Sequence, residues 1–352
     1  MTQKKLIHHG NRILSLLCIT ILMIGTLSGC STSKKQEAWN GSYITDSQFL
    51  LNTIVQISLY DLQDEKILQG AFDVCESYEE VYSRTLESSE LYKLNNRTLE
   101  SKDGKFTVSD NLAELISKAL YYSKLSDGAF DLTIAPVSSL WDFTSSTPSI
   151  PDANEIKENL KHIDYNKVHV DGNTIWFDDE KTTIDLGAIA KGYIADRIKD
   201  YLVENGVNSA MINLGGNVLC VGKKPDGSPF NVGIQKPFAD RNETCAIMEL
   251  DDVSVVSSGI YERRITVDGK SYHHILNPKT GYSYENDLVA VTIISKESVV
   301  GDGLSTSTFA LGLEKGLELI DSLDDVYAVF ITEDYELHYS KGFKEAITVK
   351  ES

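Results

Sequence analysis

Residues 53–60 (TIVQISLY) alternate apolar and polar side chains, the period of a half-buried strand. Ile67, Ala71, Val74, Cys75 and Tyr78 recur at helical spacing, as do Leu112, Leu115, Ile116, Ala119 and Leu120 behind a Ser109-Asp110 start signal. Residues 140–151 (LWDFTSSTPSIP) are rich in turn formers and read as loop. Short strands are expected at 174–177 and 182–186. A helix then spans about 189–205, with Ile194, Ile198, Tyr201 and Leu202 on one face and Gly206 as its stop. Residues 210–214 and 218–221 read as strands joined through Gly215-Gly216-Asn217. Further strands fit 244–250, 253–257, 263–267 and 288–294; a helix begins near Asp302, and a final strand covers 327–332. Strands in runs with helices between them predict an α+β fold. No GxGxxG follows a strand and no Walker loop is present, so a Rossmann domain is not expected.

The first thirty residues follow a different pattern. Lys4, Lys5 and Arg12 precede an apolar run at 13–27 (ILSLLCITILMIGTL). That run is shorter than the roughly 20 residues of a spanning helix and matches the h-region of a secretory signal. Leu27-Ser28-Gly29-Cys30 resembles the bacterial lipobox, which implies cleavage before Cys30 and a lipid on that cysteine. An uncleaved signal anchor with a chance cysteine is the plainer alternative. On this reading residues 1–29 are a signal peptide, 30–45 a polar tether, and 46–352 one catalytic domain held by lipid at the extracytoplasmic face of the cell membrane.

Charge narrows the partners. Removing residues 1–29 takes away three basic and no acidic side chains, so the formal charge moves from −19 to −22. Nucleic-acid backbones, which are held by Lys and Arg, are therefore not expected partners. An anionic ligand would need a local cation, either a metal or a lysine. With Cys18 in the signal and Cys30 lipidated, Cys75, Cys220 and Cys245 remain. Their number and spacing make neither a disulfide framework nor a zinc site, and free thiols are expected.

Four stretches carry more special residues than a core requires. DGAFDLTIAP (127–136) closes a helix, and DLGAIAKGY (185–193) joins a strand to a helix start. Backbone N–H groups at a helix start favour an anion, and Lys191 in the first turn opposes the dipole unless an anion is near. HHILNPKTG (273–281) offers a histidine as base or ligand. DGLST (302–306) places a carboxylate and a hydroxyl four residues apart, on one helical face. Such oxygens suit magnesium, although an N-cap at Asp302 would explain the carboxylate equally well.

Together these stretches resemble the ApbE family of FAD:protein FMN transferases. The matched strings are DGAFDLTIAPVSSLW, IDLGAIAKGYIADRI, NLGGNV, SSGIYERR, HHILNPKTGY and DGLSTSTFALG, in one order over about residues 48–340. The weaker SRTLESSELYKLN (83–95) contributes a Ser89-Glu90 pair.

The resemblance implies a T-fold-related arrangement of mixed sheets with packed helices. It further implies Mg2+-dependent transfer of the FMN half of FAD to a threonine hydroxyl of extracytoplasmic acceptor flavoproteins, releasing AMP. By the same resemblance Leu51, Thr85, Ala129, Phe130, Asp131, Asp185, Lys191, His274 and Ile275 contact FAD. Asp302, Thr306 and the carbonyl of Ala188 hold the metal, and His274 and Lys191 do the chemistry. His274 is the candidate base, with an ordinary pKa near 6.5, and His273 should face the opposite way. One departure is Asn52 where the family has glycine; its bulk is expected to hinder a close approach of backbone to ligand. Two competing readings are hydrolysis of FAD to FMN and AMP in the same pocket, and a non-enzymatic solute-binding lipoprotein. The latter predicts two βαβ-rich lobes and has no use for Asp302-x-x-x-Thr306.

Overall fold

A computed structural model describes residues 39–240 and 243–351. The expected signal peptide and Cys30 lie outside the described residues. Among those described, no helix is long and apolar enough to cross a membrane.

The centre of the fold is an eight-stranded sheet whose spatial order follows the chain. It runs Ile44–Leu50, Thr53–Leu59, Ala210–Leu214, Asn217–Val221, Ser254–Gly259, Leu288–Ser295, Tyr327–Thr332 and Leu337–Tyr339. Every neighbouring pair is antiparallel, so the sheet is a meander interrupted by long excursions. Alternate residues serve two cores. Ala328 and Phe330 join helices Glu65–Tyr82, Ala190–Glu204 and Ser298–Leu311 in the main core, whereas Val329 and Ile331 face the sheet Thr348–Glu351, Thr244–Leu250, Phe230–Gln235. Burial on both faces explains why Leu288–Ser295 (LVAVTIIS) is almost wholly apolar. A four-stranded sheet, a two-stranded ribbon (Arg264–Val267 with Lys270–His273) and a small core around Trp141 and Tyr272 complete an α+β fold without a closed barrel.

Most predicted elements are present, and the exceptions have physical reasons. Residues 182–186 form no strand. Ile184 instead exchanges two 2.8 Å bonds with the side-chain amide of Asn95, and Asp185 N–H donates to Leu132 O at 2.8 Å. The first strand begins at Ile44, inside the segment read as tether, and Tyr43 stacks on Tyr60 with ring centroids 4.9 Å apart. Tyr327–Thr332 is followed by two further strands. The helix expected to begin near Asp302 begins at Ser298. Asp302 is therefore not an N-cap. Cys75, Cys220 and Cys245 are free thiols, as expected, with Cys75 and Cys220 buried.

Candidate active site

Two helices meet at Asp302. Gly192, in the first turn of Ala190–Glu204, lies so close to the start of Ser298–Leu311 that a Cβ there would sit 2.3 Å from Ser298 O. This approach lets Gly192 N–H donate to Asp302 Oδ2 at 2.5 Å, while Asn217 Nδ2 donates to Oδ1 at 3.1 Å. Asp302 is 4 % exposed, and burial raises its pKa; Lys191 and the two hydrogen bonds oppose that shift. Among the described residues it forms no ion pair. Thr306 lies one turn further along the same helix, half-buried, with its hydroxyl 3.5 Å from Ser258 Oγ.

No cluster of three His, Cys, Asp or Glu side chains forms a metal site among the described residues. The expected ligands are one carboxylate, one hydroxyl and one carbonyl, all hard oxygens, which is the donor chemistry of magnesium. Asp302 fits: it is a buried carboxylate, and both hydrogen bonds to it come from neutral donors, leaving oxygen lone pairs for a cation.

The strand-to-helix turn carries Asp185, which is engaged on both oxygens. Oδ2 pairs with Arg84 Nε at 3.0 Å and accepts from Ser138 Oγ at 3.0 Å; Oδ1 accepts from Gly187 N–H at 2.9 Å. Arg84 also donates to Ser139 Oγ at 2.8 Å, so it ties this turn to the helix Ala135–Ser138 region. Thr85, beside Arg84, is exposed, and its hydroxyl lies 3.4 Å from Ser83 Oγ. Lys191 is half-buried and makes no ion pair among the described residues. Ala188 is also half-buried, in the turn just before the helix.

The two adjacent histidines face different ways. His273 is buried, its Nδ1 accepting from Ile275 N–H at 3.3 Å and its Nε2 donating to Tyr284 O at 2.9 Å, so it is a structural neutral imidazole. His274 places Nδ1 3.3 Å from Arg263 O. A proton on Nδ1 makes that bond and leaves Nε2 as the free base. Burial, with Arg263 and Lys191 adding to it, lowers the His274 pKa to about 4. Its surface is nevertheless exposed, and that open face works against a shift as deep as full enclosure gives; the downward direction stands. Leu51 and Asn52 reach the same neighbourhood from the first hairpin, Asn52 O accepting from Arg263 Nη2 at 3.2 Å and Leu51 N–H donating to Glu79 Oε1 at 3.2 Å. Both residues have left-handed backbones, with φ of 54° and 56°. Asparagine tolerates that region better than most residues, which suits Asn52 to the turn.

Other expected contacts do not converge here. Phe130 fills the main core at 4 % exposure. Asp131 spends its carboxylate on Thr133 N–H and Oγ1 (2.8 and 2.6 Å) and on Tyr165 N–H (3.2 Å), capping a short 3₁₀ turn. It borders a cleft of about 320 Å³ with Asp127, Tyr165 and Lys279 that includes neither Lys191, His274 nor Asp302. Ile275 is 5 % exposed, and both its backbone groups are used within the chain. Ala129 is half-buried and accepts from Tyr284 Oη at 2.9 Å, which joins the 127–136 stretch to the histidine loop.

A family model described as the ApbE family matches residues 51–331. The chain belongs to the ApbE family. A FAD:protein FMN transferase of Klebsiella pneumoniae (strain 342) is 36 % identical over 293 residues, covering 83 % of this chain and 90 % of that protein. One of the same name from Treponema pallidum (strain Nichols) is 30 % identical, covering 86 % and 88 %. The crystal structure of the ApbE protein of Thermotoga maritima superposes with a TM-score of 0.78 at 29 % identity, covering 86 % of this chain and 99 % of that one. The flavin transferase ApbE of Vibrio cholerae gives 0.76 at 26 %, with the same coverage.

Arg84, Asn217 and Asp196 lie within the matched strings but gain no site role from sequence. The further signal for Asp196 is a carboxylate among the apolar positions of a helix that is buried on most sides.

Proposed function

We propose that this flavin transferase moves the FMN half of FAD onto a threonine hydroxyl of acceptor proteins, with magnesium held by Asp302, Thr306 and the carbonyl of Ala188. That the protein is a flavin transferase follows from its family and the relatives that share most of its length. The observation that supports the finer reading is the buried, unpaired carboxylate of Asp302 locked against the helix turn that carries Lys191.

In the reaction the threonine Oγ forms a bond to the FMN-side phosphorus, the bridging P–O bond breaks, and AMP leaves with that oxygen. His274 Nε2, held as the free base by the Nδ1 bond to Arg263 O, takes the threonine proton. Lys191 brings a cation to the phosphate oxygens. Magnesium, when bound, supplies further neutralisation of phosphate charge. Phosphoryl transfer asks for this kind of positioning and charge balance rather than for an elaborate covalent scaffold.

The test is incubation of the full-length protein with FAD, magnesium and a candidate extracytoplasmic electron-transfer protein. An FMN mass increment on a threonine, with AMP in equal amount, supports the proposal; AMP and free FMN without the increment would identify a hydrolase. We also propose a lipid anchor at Cys30, on the lipobox string Leu27-Ser28-Gly29-Cys30. Cys30→Ser should accumulate as an unacylated precursor, whereas labelled lipid on that variant rules the anchor out.

A further inference from the structure

The geometry points to Asp196 as a positioning residue for the metal site: its carboxylate caps the helix that presents Asp302 and Thr306 and so sets where those two oxygens stand. This inference rests on the magnesium reading above and names a residue of this chain that acts on it without touching metal or substrate.

The helix Ser298–Leu311 has no cap of its own, since Glu297, at the N-cap position, makes no side-chain bond. The first N–H groups of any helix need acceptors. Here they find them on another helix. Asp196 Oδ1 accepts from Ser298 N–H at 2.7 Å and Oδ2 from Val299 N–H at 2.9 Å. Asp196 is 7 % exposed, a costly place for a carboxylate unless its bonds are needed.

The connections close into a ring. Ser298 Oγ donates to Asn217 Oδ1 at 2.7 Å, Asn217 Nδ2 donates to Asp302 Oδ1 at 3.1 Å, and Gly192 N–H donates to Asp302 Oδ2 at 2.5 Å. Gly192 and Asp196 are one turn apart on one helix; Ser298 and Asp302 are one turn apart on the other. The two helices are thus clamped at two successive turns, one clamp at Asp302 itself and one at the helix start. Removing the Asp196 clamp leaves the first helix N–H groups without their acceptors, and the helix start is then held only by the side-chain bonds of Ser298 to Asn217 and Ser254.

Asp196 also separates site geometry from fold stability. Burial is the largest cause of its raised pKa, about 6, with Glu297 raising it further and the Ser298 and Val299 N–H groups and Arg197 opposing. For a carboxylate with a raised folded pKa, the unfolded chain ionises first, and stability is lost as pH rises between the two values. At pH 7.5 a neutral isostere removes that cost but keeps only one of the two acceptors, its amide nitrogen facing the other helix N–H.

The experiment compares full-length wild type, Asp196→Asn, Asp196→Ala and Asp302→Asn. Mn2+ binding is followed by electron paramagnetic resonance with FAD present, and Tm is measured at pH 7.5. Losing a residue that orients a metal ligand costs about 10-fold or more in affinity. Asp196→Asn should therefore bind Mn2+ about 10-fold more weakly at a Tm close to wild type, because the relieved burial and the lost acceptor oppose each other, and Asp196→Ala should lose both affinity and Tm. Unchanged Mn2+ affinity in Asp196→Asn, or a loss that merely follows a fall in Tm, overturns the inference. Asp302→Asn tells the two levels apart: if it binds Mn2+ like wild type, the metal reading has failed and the positioning role goes with it.

Discussion

Gly192→Ala tests whether the close approach of two helices builds the site. The new Cβ would lie 2.3 Å from Ser298 O, 2.6 Å from its carbonyl carbon and 2.8 Å from Val299 Cα, all backbone atoms that no rotamer change can move. Relief requires the helices to part by about 1 Å, and overpacking of this kind costs about 1–3 kcal/mol. Alanine recovers up to about 1 kcal/mol of helix propensity over glycine. The two nearly offset, leaving a net loss of about 0–2 kcal/mol, which over about 300 residues at about 2 cal/mol/K each lowers Tm by no more than about 3 °C. The fold should survive. The site should not, because the parting opens the 2.5 Å bond from Gly192 N–H to Asp302 Oδ2, and a misplacement of about 1 Å costs about 100-fold in rate. Thermal denaturation and FMN transfer at saturating FAD and magnesium measure the two effects. A variant with wild-type Tm and wild-type rate would show that the helices have slack and that their contact does not set the position of Asp302.

His274→Ala should slow transfer by about 10²–10⁴-fold with little change in FAD affinity, as for loss of a general base. A rise in the dissociation constant at unchanged saturating rate would make His274 a binding residue instead. Because its folded pKa is lowered, the base stays unprotonated below its ordinary 6.5; the rate should fall only on the acid side of that value, and a limb at or above neutrality would contradict the assignment. Asp302→Ala and Thr306→Val should each remove most activity together with its magnesium dependence. Normal, magnesium-dependent transfer in both would return the stretch to a purely structural role.

The sequence made six of the eight central strands and the order of the motifs legible, because those are carried by local patterns, but not the edge strands Ile44–Leu50 and Leu337–Tyr339, nor Phe230–Gln235 in the smaller sheet. It misplaced the start of the last buried helix because the cap is not local: Ser298 and Val299 are capped by Asp196, about a hundred positions earlier. It read 182–186 as a strand for the same reason, since Asn95 and Leu132 supply the bonds that a neighbouring strand would. The family strings point to a candidate site but not to the role of each member. Phe130 and Ile275 are buried, and Asp131 caps a 3₁₀ turn while bordering a cleft. Such strings mix residues that meet a ligand with residues that hold the others in place, and position in the string does not separate them. Spacing does so here: Gly192 and Asp196 match Ser298 and Asp302 turn for turn across the helix contact. A change at either end of one pair is therefore transmitted to the other, and the carboxylate at Asp302 inherits its position from residues that need never touch flavin or metal.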